Sequence, residues 1–193
     1  MRGGLFYSIF QAKEFVDQMG GPEKTRAAFK RVDERLRKAN LPPMHWNAMV
    51  STPAQSDAMR EAGFHSTSRY NVSTAGKVKP DATEDYADVM EAHRKHWKAM
   101  QTAQLMDIPV VTRGWDSSPR CRADVPWPFP RTPGGGFEYP YSPIGTGVTA
   151  ERFEQLLRDA AQAVRDDPKA PPAVLINAWN EWSEGMYLIP DEQ

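Results

Sequence analysis

Short apolar runs, each closing on a cluster of polar or aromatic residues, alternate along this chain with longer stretches whose apolar residues recur at helical spacing. The first run, Leu-Phe-Tyr-Ser-Ile-Phe at residues 5 to 10, is aromatic and branched and reads as a buried strand. Beyond Gly20, Gly21 and Pro22, residues 23 to 39 place Ala28, Phe29, Val32, Leu36 and Ala39 on one stripe with charges between them. That is the period of an amphipathic helix, and Pro42 and Pro43 stop it. Residues 44 to 50 read as a second strand, residues 53 to 62 as a short helix ended by Gly63, and residues 64 to 71 as a polar third strand. A strong helix is expected from about Asp85 to Met106, with Tyr86, Val89, Met90, His93, Trp97 and Met100 on one stripe. Glu84 and Asp85 stand at its positive N-terminal end. Residues 108 to 112 give a fourth strand. Thr149 caps a last helix with Phe153, Leu156, Leu157, Ala160 and Val164 on one face, ending near Pro168, and residues 173 to 176 give a fifth strand.

Strands separated by helices predict right-handed βαβ units and a parallel sheet, hence an α/β fold. Near-continuous apolar strands with polar clusters at their C-terminal ends fit either a doubly wound sheet or part of a (β/α)8 barrel, and pattern alone does not separate the two. A chain of 193 residues, 40% apolar and 25% charged, is long enough to bury a core. With 24 basic and 25 acidic side chains the net charge is -1, which supplies no field for gathering phosphates, so neither nucleic acid nor an anionic membrane is an expected partner. No apolar run approaches the roughly 20 residues that span a bilayer. The single Cys121 excludes an internal disulfide framework and a cysteine zinc site within one chain. The N-terminus lacks a signal-peptide pattern, and a reducing, cytoplasmic setting is the default expectation. Residues 126 to 147 are dense in proline and glycine and carry Trp127, Phe129, Phe137, Tyr139 and Tyr141. A connection of this length inside a domain is usually functional or disordered; the functional reading is preferred, since aromatic loops suit flat, polar, ring-shaped ligands.

Chemistry concentrates at the strand ends. Glu181 and Glu184 lie three apart directly after the fifth strand, in the setting Asn180-Glu-Trp-Ser-Glu-Gly185. Glycosyl transfer to water needs one carboxyl group to protonate the leaving oxygen and a second as base or nucleophile, and indoles such as Trp179 and Trp182 stack on sugars. The two acids are expected to face one common hollow. Trp115, Asp116 and Arg120 follow the fourth strand, where Trp115 would form a platform and Asp116 would hold a sugar hydroxyl. His45 and Trp46 on the second strand, and His65 and Tyr70 on the third, are candidate substrate contacts only. His93 and His96 sit at i and i+3 on a helix, but no carboxylate or cysteine pattern completes a metal site. No glycine-rich turn leads from a strand into a helix, so dinucleotide and P-loop phosphate binding find no support.

The stretch Asn177-Ala-Trp-Asn-Glu-Trp-Ser-Glu-Gly-Met-Tyr-Leu-Ile-Pro-Asp191, together with Val110-Val-Thr-Arg-Gly-Trp-Asp-Ser-Ser-Pro-Arg120, resembles the WbsX-type proteins, which are related to glycoside hydrolase family 99. The resemblance implies a (β/α)8 barrel and action on glycosidic bonds, with endo-acting α-mannosidases and α-mannanases among the related hydrolases. It implies further that Glu181 assists as base toward the sugar 2-hydroxyl and that Glu184 is the general acid/base on the leaving oxygen. Configuration would be retained through an anhydro-sugar, with no metal and no cofactor. Asn180 and Tyr187 fall within the matching motif and join the expected substrate contacts.

One departure is large. Five strands and no helix after Pro190 are read here, where a barrel needs eight of each. Aligned by its ending, the chain is expected to form a single incomplete domain over residues 1–193, lacking the N-terminal strands and the last helix. A barrel opened this way exposes its edges, which leaves three expectations: a truncated gene product, a fragment, or an obligate oligomer that closes the gap with a second copy or another chain. The function readings left open are a retaining glycoside hydrolase-like enzyme, a non-catalytic sugar-binding or assembly module, and a glycosyltransferase of polysaccharide biosynthesis.

Overall fold

The computed structural model describes residues 4–74, 82–125, 139 and 141–188. In chain order the elements are β1 (Leu5–Ile9), α1 (Ala12–Gln18), α2 (Pro22–Lys38), β2 (Met44–Met49), α3 (Pro53–Glu61), β3 (Ser66–Ser68), β4 (Thr83–Asp85) and α4 (Tyr86–Met100). They continue with β5 (Met106–Asp107), β6 (Val110–Thr112), β7 (Ile144–Thr146), α5 (Ala150–Asp166), β8 (Leu175–Asn177), β9 (Asn180–Glu181) and β10 (Met186–Tyr187). Tight 3-10 turns occupy Ser118–Arg120 and Trp182–Glu184. The fold is α/β, with parallel strands alternating with helices as the sequence predicts. No helix among the described residues is long and apolar enough to cross a membrane. Most of the aromatic loop, including Trp127, Phe129 and Phe137, lies outside the described residues.

The chain divides into two compact units. The first comprises residues up to 70, 95–109 and 161–174 and contains a four-stranded parallel sheet in the order β1-β2-β3-β5. Register runs Tyr7 opposite Trp46, Ser8 opposite Asn47, Asn47 opposite Ser66 and Thr67 opposite Asp107. The helices follow from local chemistry. Pro22 opens α2 with Glu23 in its first turn and Arg35, Arg37 and Lys38 in its last, matching the helix dipole at both ends. The Thr52 hydroxyl caps α3 by accepting from the Gln55 amide at 3.3 Å. Phe29 of α2 stacks on Trp46 with ring centroids 4.0 Å apart and meets Phe64 edge-on at 5.1 Å. Ala48, Met59 and Met100 complete the core around them.

Alternate residues of the same strands form a polar ladder. The Asn47 carboxamide accepts from the Ser8 and Ser68 hydroxyls at 2.7 Å each and donates to Ser66 at 2.8 Å, all within neighbouring strands. Asp107 sits one strand further, buried, accepting from the Thr67 hydroxyl at 2.8 Å. Burial pushes its carboxyl up to about 7, against the pull of the Thr67 bond and reinforced by Asp167. Folded protein therefore holds a proton that unfolded chain has lost between pH 3.8 and about 7, and stability declines as pH rises through that window. Asp107→Asn keeps the acceptor for Thr67 but does not titrate. Its urea midpoint is expected to stay level from pH 4 to 8 in this respect, gaining on the parent as pH rises from 4 to about 7 and keeping that lead above it, whereas profiles parallel across pH 4 to 7 would refute the assignment.

The structure departs from the sequence reading of the elements at four points. The run at residues 5 to 10 is a strand but not a buried one: β1 is the edge of its sheet, and Phe6, Tyr7 and Phe10 are exposed. Helix α1 was not anticipated, being seven residues long with no side-chain cap at Gln11. The fourth strand, expected over residues 108 to 112, spans only β6, and a separate short strand, β5, precedes it; Pro109 between them has no amide hydrogen to continue a ladder. The helix read to Met106 ends at Met100.

The second unit comprises residues 71–94, 110–160 and 175 onward. Here β4 pairs in parallel with β7, β6 in parallel with β8, and β9 with β10 as an antiparallel ribbon. Tyr86, fully buried, donates its hydroxyl to the Thr112 carbonyl at 2.7 Å. His93 donates from Nδ1 to the Val89 carbonyl at 2.8 Å and lies 3.3 Å from the Thr112 hydroxyl through Nε2, so it is a hydrogen-bonded core residue.

Candidate active site

Strands β6 and β8 run side by side, with Val111 opposite Ile176 and Thr112 opposite Asn177, so the chain leaves both at one edge of the pair. The loops that follow start as neighbours and are stitched together. The Arg113 amide donates to the Asn177 carbonyl at 3.2 Å and the Asp116 amide to the Glu184 carbonyl at 2.8 Å. Gly185 makes the close approach feasible: its φ is +61°, and a Cβ there would come within 2.8 Å of the Asp116 Cβ. The β9–β10 ribbon sets Asn180 opposite Tyr187 and Glu181 opposite Met186, and the 3-10 turn joins its strands.

The two acids stand in different surroundings. Glu184 is buried, and its Oε1 accepts from Arg120 Nη1 at 2.5 Å. The Arg120 guanidinium lies over the Trp115 ring, 5.7 Å from the centroid, and the indole Nε1 donates to the Ser142 hydroxyl at 2.9 Å. Glu181 is half-buried and accepts from the Ser183 hydroxyl at 2.7 Å. Trp179 and Trp182 are 66% and 51% exposed, and Asn180 is exposed beside them in sequence. Tyr187 lies under the Arg113 guanidinium, 5.0 Å from its ring centroid, and 6.4 Å from Trp182. Asp116 accepts from the Ser118 amide at 2.9 Å and so shapes the turn that carries Arg120.

The remaining candidates lie in the first unit. His45 Nε2 is 2.8 Å from the Ser66 hydroxyl, and its ring stacks on Phe6 at 5.8 Å. His65 Nδ1 accepts from the Trp46 amide at 3.0 Å, which leaves the proton of the neutral ring on Nε2. Burial holds both imidazoles below the usual histidine range, with His65 adding to the effect on His45 and Asp33 opposing it on His65. Tyr70 packs edge-on against Phe10 at 5.2 Å. Trp46, the remaining candidate substrate contact, is buried, with its indole stacked against Phe29 in the core.

Sequence reasoning missed Glu84, Arg113 and Ser142 as parts of this region. Glu84, read as a helix-end charge, is in β4 and buried to 4% exposure, its Oε2 accepting from the Thr74 amide at 3.1 Å and hydroxyl at 2.8 Å. With Tyr86 and Trp115 it lines a cavity of about 200 Å³. A signal was present, since α4 needs one capping acid and Asp85 supplies it by accepting from the Ala87 amide at 2.8 Å, leaving Glu84 in excess.

Comparison with known proteins adds to this α/β strand-end site. The family model described as Glycosyltransferase WbsX matches residues 139–193, the segment that carries Trp179, Glu181, Trp182, Glu184 and Tyr187. Two curated relatives, each an uncharacterised protein WxcX from a strain of Xanthomonas campestris pv. campestris, are 33% identical over 118 residues, covering 59% of this chain. This chain spans about 14% of their length. A glycoside hydrolase family 99 endo-α-mannosidase from Bacteroides thetaiotaomicron aligns over 74% of this chain and 35% of its own, at 14% identity and a TM-score of 0.41. The resemblance to WbsX-type proteins read from the sequence is thus met again over the C-terminal segment.

Proposed function

We propose that this chain acts on glycosidic bonds of an oligosaccharide or polysaccharide, with Glu184 as general acid/base and Glu181 as its partner. The observation that carries this reading is the buried Glu184 held by Arg120, itself laid over Trp115, at the shared edge of β6 and β8. Strand-end carboxylates in parallel α/β folds are where such chemistry is built. In the proposed route Glu184 gives its proton to the glycosidic oxygen as the C1–O bond breaks, while Glu181 takes the proton of the 2-hydroxyl and O2 closes on C1. Water then opens the anhydro ring, with Glu184 receiving the water proton and Glu181 returning its own. Trp179 and Trp182 present exposed ring faces on the same loop as the acids, suited to stacking on sugar rings.

Their exposure also favours a second reading, sugar binding without turnover. Incubation with α-mannans and reducing-end-tagged oligosaccharides separates the two. Release of shorter tagged products supports hydrolysis. Tight binding with no product supports the binding module, and product formed only with a nucleotide-sugar donor supports transfer.

A further inference from the structure

The cavity beside Trp115 has a composition of its own. Its walls come from residues 71–73, β4, the start of α4, the residues after β6 and the segment entering β7, and none from the loop that carries Glu181 and Glu184. A void of about 150 Å³ admits benzene, so about 200 Å³ holds one six-membered ring with its substituents, and a second sugar ring would lie outside it. Val72, Val89 and the Trp115 ring give apolar wall, which matches the C–H face of a pyranose. Glu84 is the one charged side chain among the described residues of that lining.

The hydrogen-bond roles around it are largely assigned. The Tyr86 hydroxyl is committed to the Thr112 carbonyl and the Trp115 Nε1 to Ser142, while both Thr74 donors fall on Glu84 Oε2. An ionised carboxylate only accepts, so Glu84 calls for ligand donors, which sugar hydroxyls provide. With no lysine, arginine or histidine among the described residues of the lining, an anionic ligand there would meet the Glu84 carboxylate without a compensating charge from them.

We infer that this cavity is a subsite for a single neutral pyranose ring, with Glu84 accepting from its hydroxyls and Trp115 lying against its apolar face. The inference rests on the sugar-handling part of the proposed function and does not need turnover.

Methyl α-mannopyranoside, methyl α-glucopyranoside and a methyl glucuronoside, titrated with saturation-transfer NMR, test it on the parent, Glu84→Gln, Val72→Phe and Glu184→Gln. The neutral glycosides are expected to bind the parent and Glu184→Gln alike, to bind Glu84→Gln about tenfold more weakly, and to be excluded by Val72→Phe, while the glucuronoside does not bind. Val72→Phe fills the space without touching the carboxylate, so a folding defect in Glu84→Gln leaves the test intact. Absence of neutral glycoside binding by the parent, full binding by Val72→Phe, or stronger binding of the glucuronoside overturns the inference. Equal affinity in a folded Glu84→Gln variant does so too. Loss of turnover with glycoside binding unchanged, or the reverse, tells the failure of one reading from the failure of the other.

Discussion

Glu184→Gln is expected to lower turnover of a cleavable oligosaccharide by about 10² to 10⁴-fold while leaving its binding in place. The amide keeps the size of the carboxyl group and can still accept from Arg120, so the loop after β8 stays where the Asp116–Glu184 backbone bond sets it. On the proposed route, what is removed is the proton carried to the leaving oxygen. The stacking surfaces of Trp179 and Trp182 are untouched, which is why affinity and rate separate. A single-turnover measurement against an equilibrium binding measurement reads both. A rate change of about twofold or less would remove Glu184 from the chemistry. Stability should fall only modestly: the Glu184 side chain is 9% exposed, but that of Arg120 is 36% exposed, so water screens the guanidinium left facing a neutral group.

The largest stability loss is expected from Phe29→Ala, at about 3–5 kcal/mol. Phe29 is the point where α2 meets the sheet. Its ring lies flat on Trp46, edge-on to Phe64 and 6.1 Å from Phe15, so truncation opens a void bordered by three aromatic rings that cannot close on one another. Trp46 reports the change directly. Its indole Nε1 is buried with no hydrogen-bond partner among the described residues, a cost that packing against Phe29 offsets. Urea unfolding followed by indole emission, with the slope checked for two-state behaviour, measures the loss. A value under about 1 kcal/mol would mean that the core repacks around the gap.

The helices were legible because their signals are local. Pro22, Thr52 and Thr149 sit at or beside helix starts, and the periodic apolar stripes of α2 and α4 needed no tertiary information. The strands were legible as positions but not as surroundings. Residues 5 to 10 have the composition of a core strand, yet whether a neighbour covers both sides of a strand depends on sheet order, which no short window contains. The split at Pro109 follows from a missing amide hydrogen that the sequence did display.

At the site, the strand-end acids and indoles were visible as a motif. The partner of Glu184 was less so, because Arg120 lies 64 residues away and meets it only once β6 and β8 are paired. Trp46 and Trp115 look alike as strand-borne indoles. One is stacked in a core and the other lines a cavity, and that distinction comes from which face of the strand or loop each residue occupies.

Gly185 divides the loop after β8 into parts with unequal freedom to change. With its Cα pressed against Asp116, that position tolerates no side chain, so in a randomised library it should return glycine almost without exception. Positions 179 and 182, whose indoles stand out in water, carry no such restriction. If the chain acts on glycans as proposed, diversification for new preferences belongs at that rim, while Gly185 beneath it is kept invariant as the scaffold on which variants are mounted.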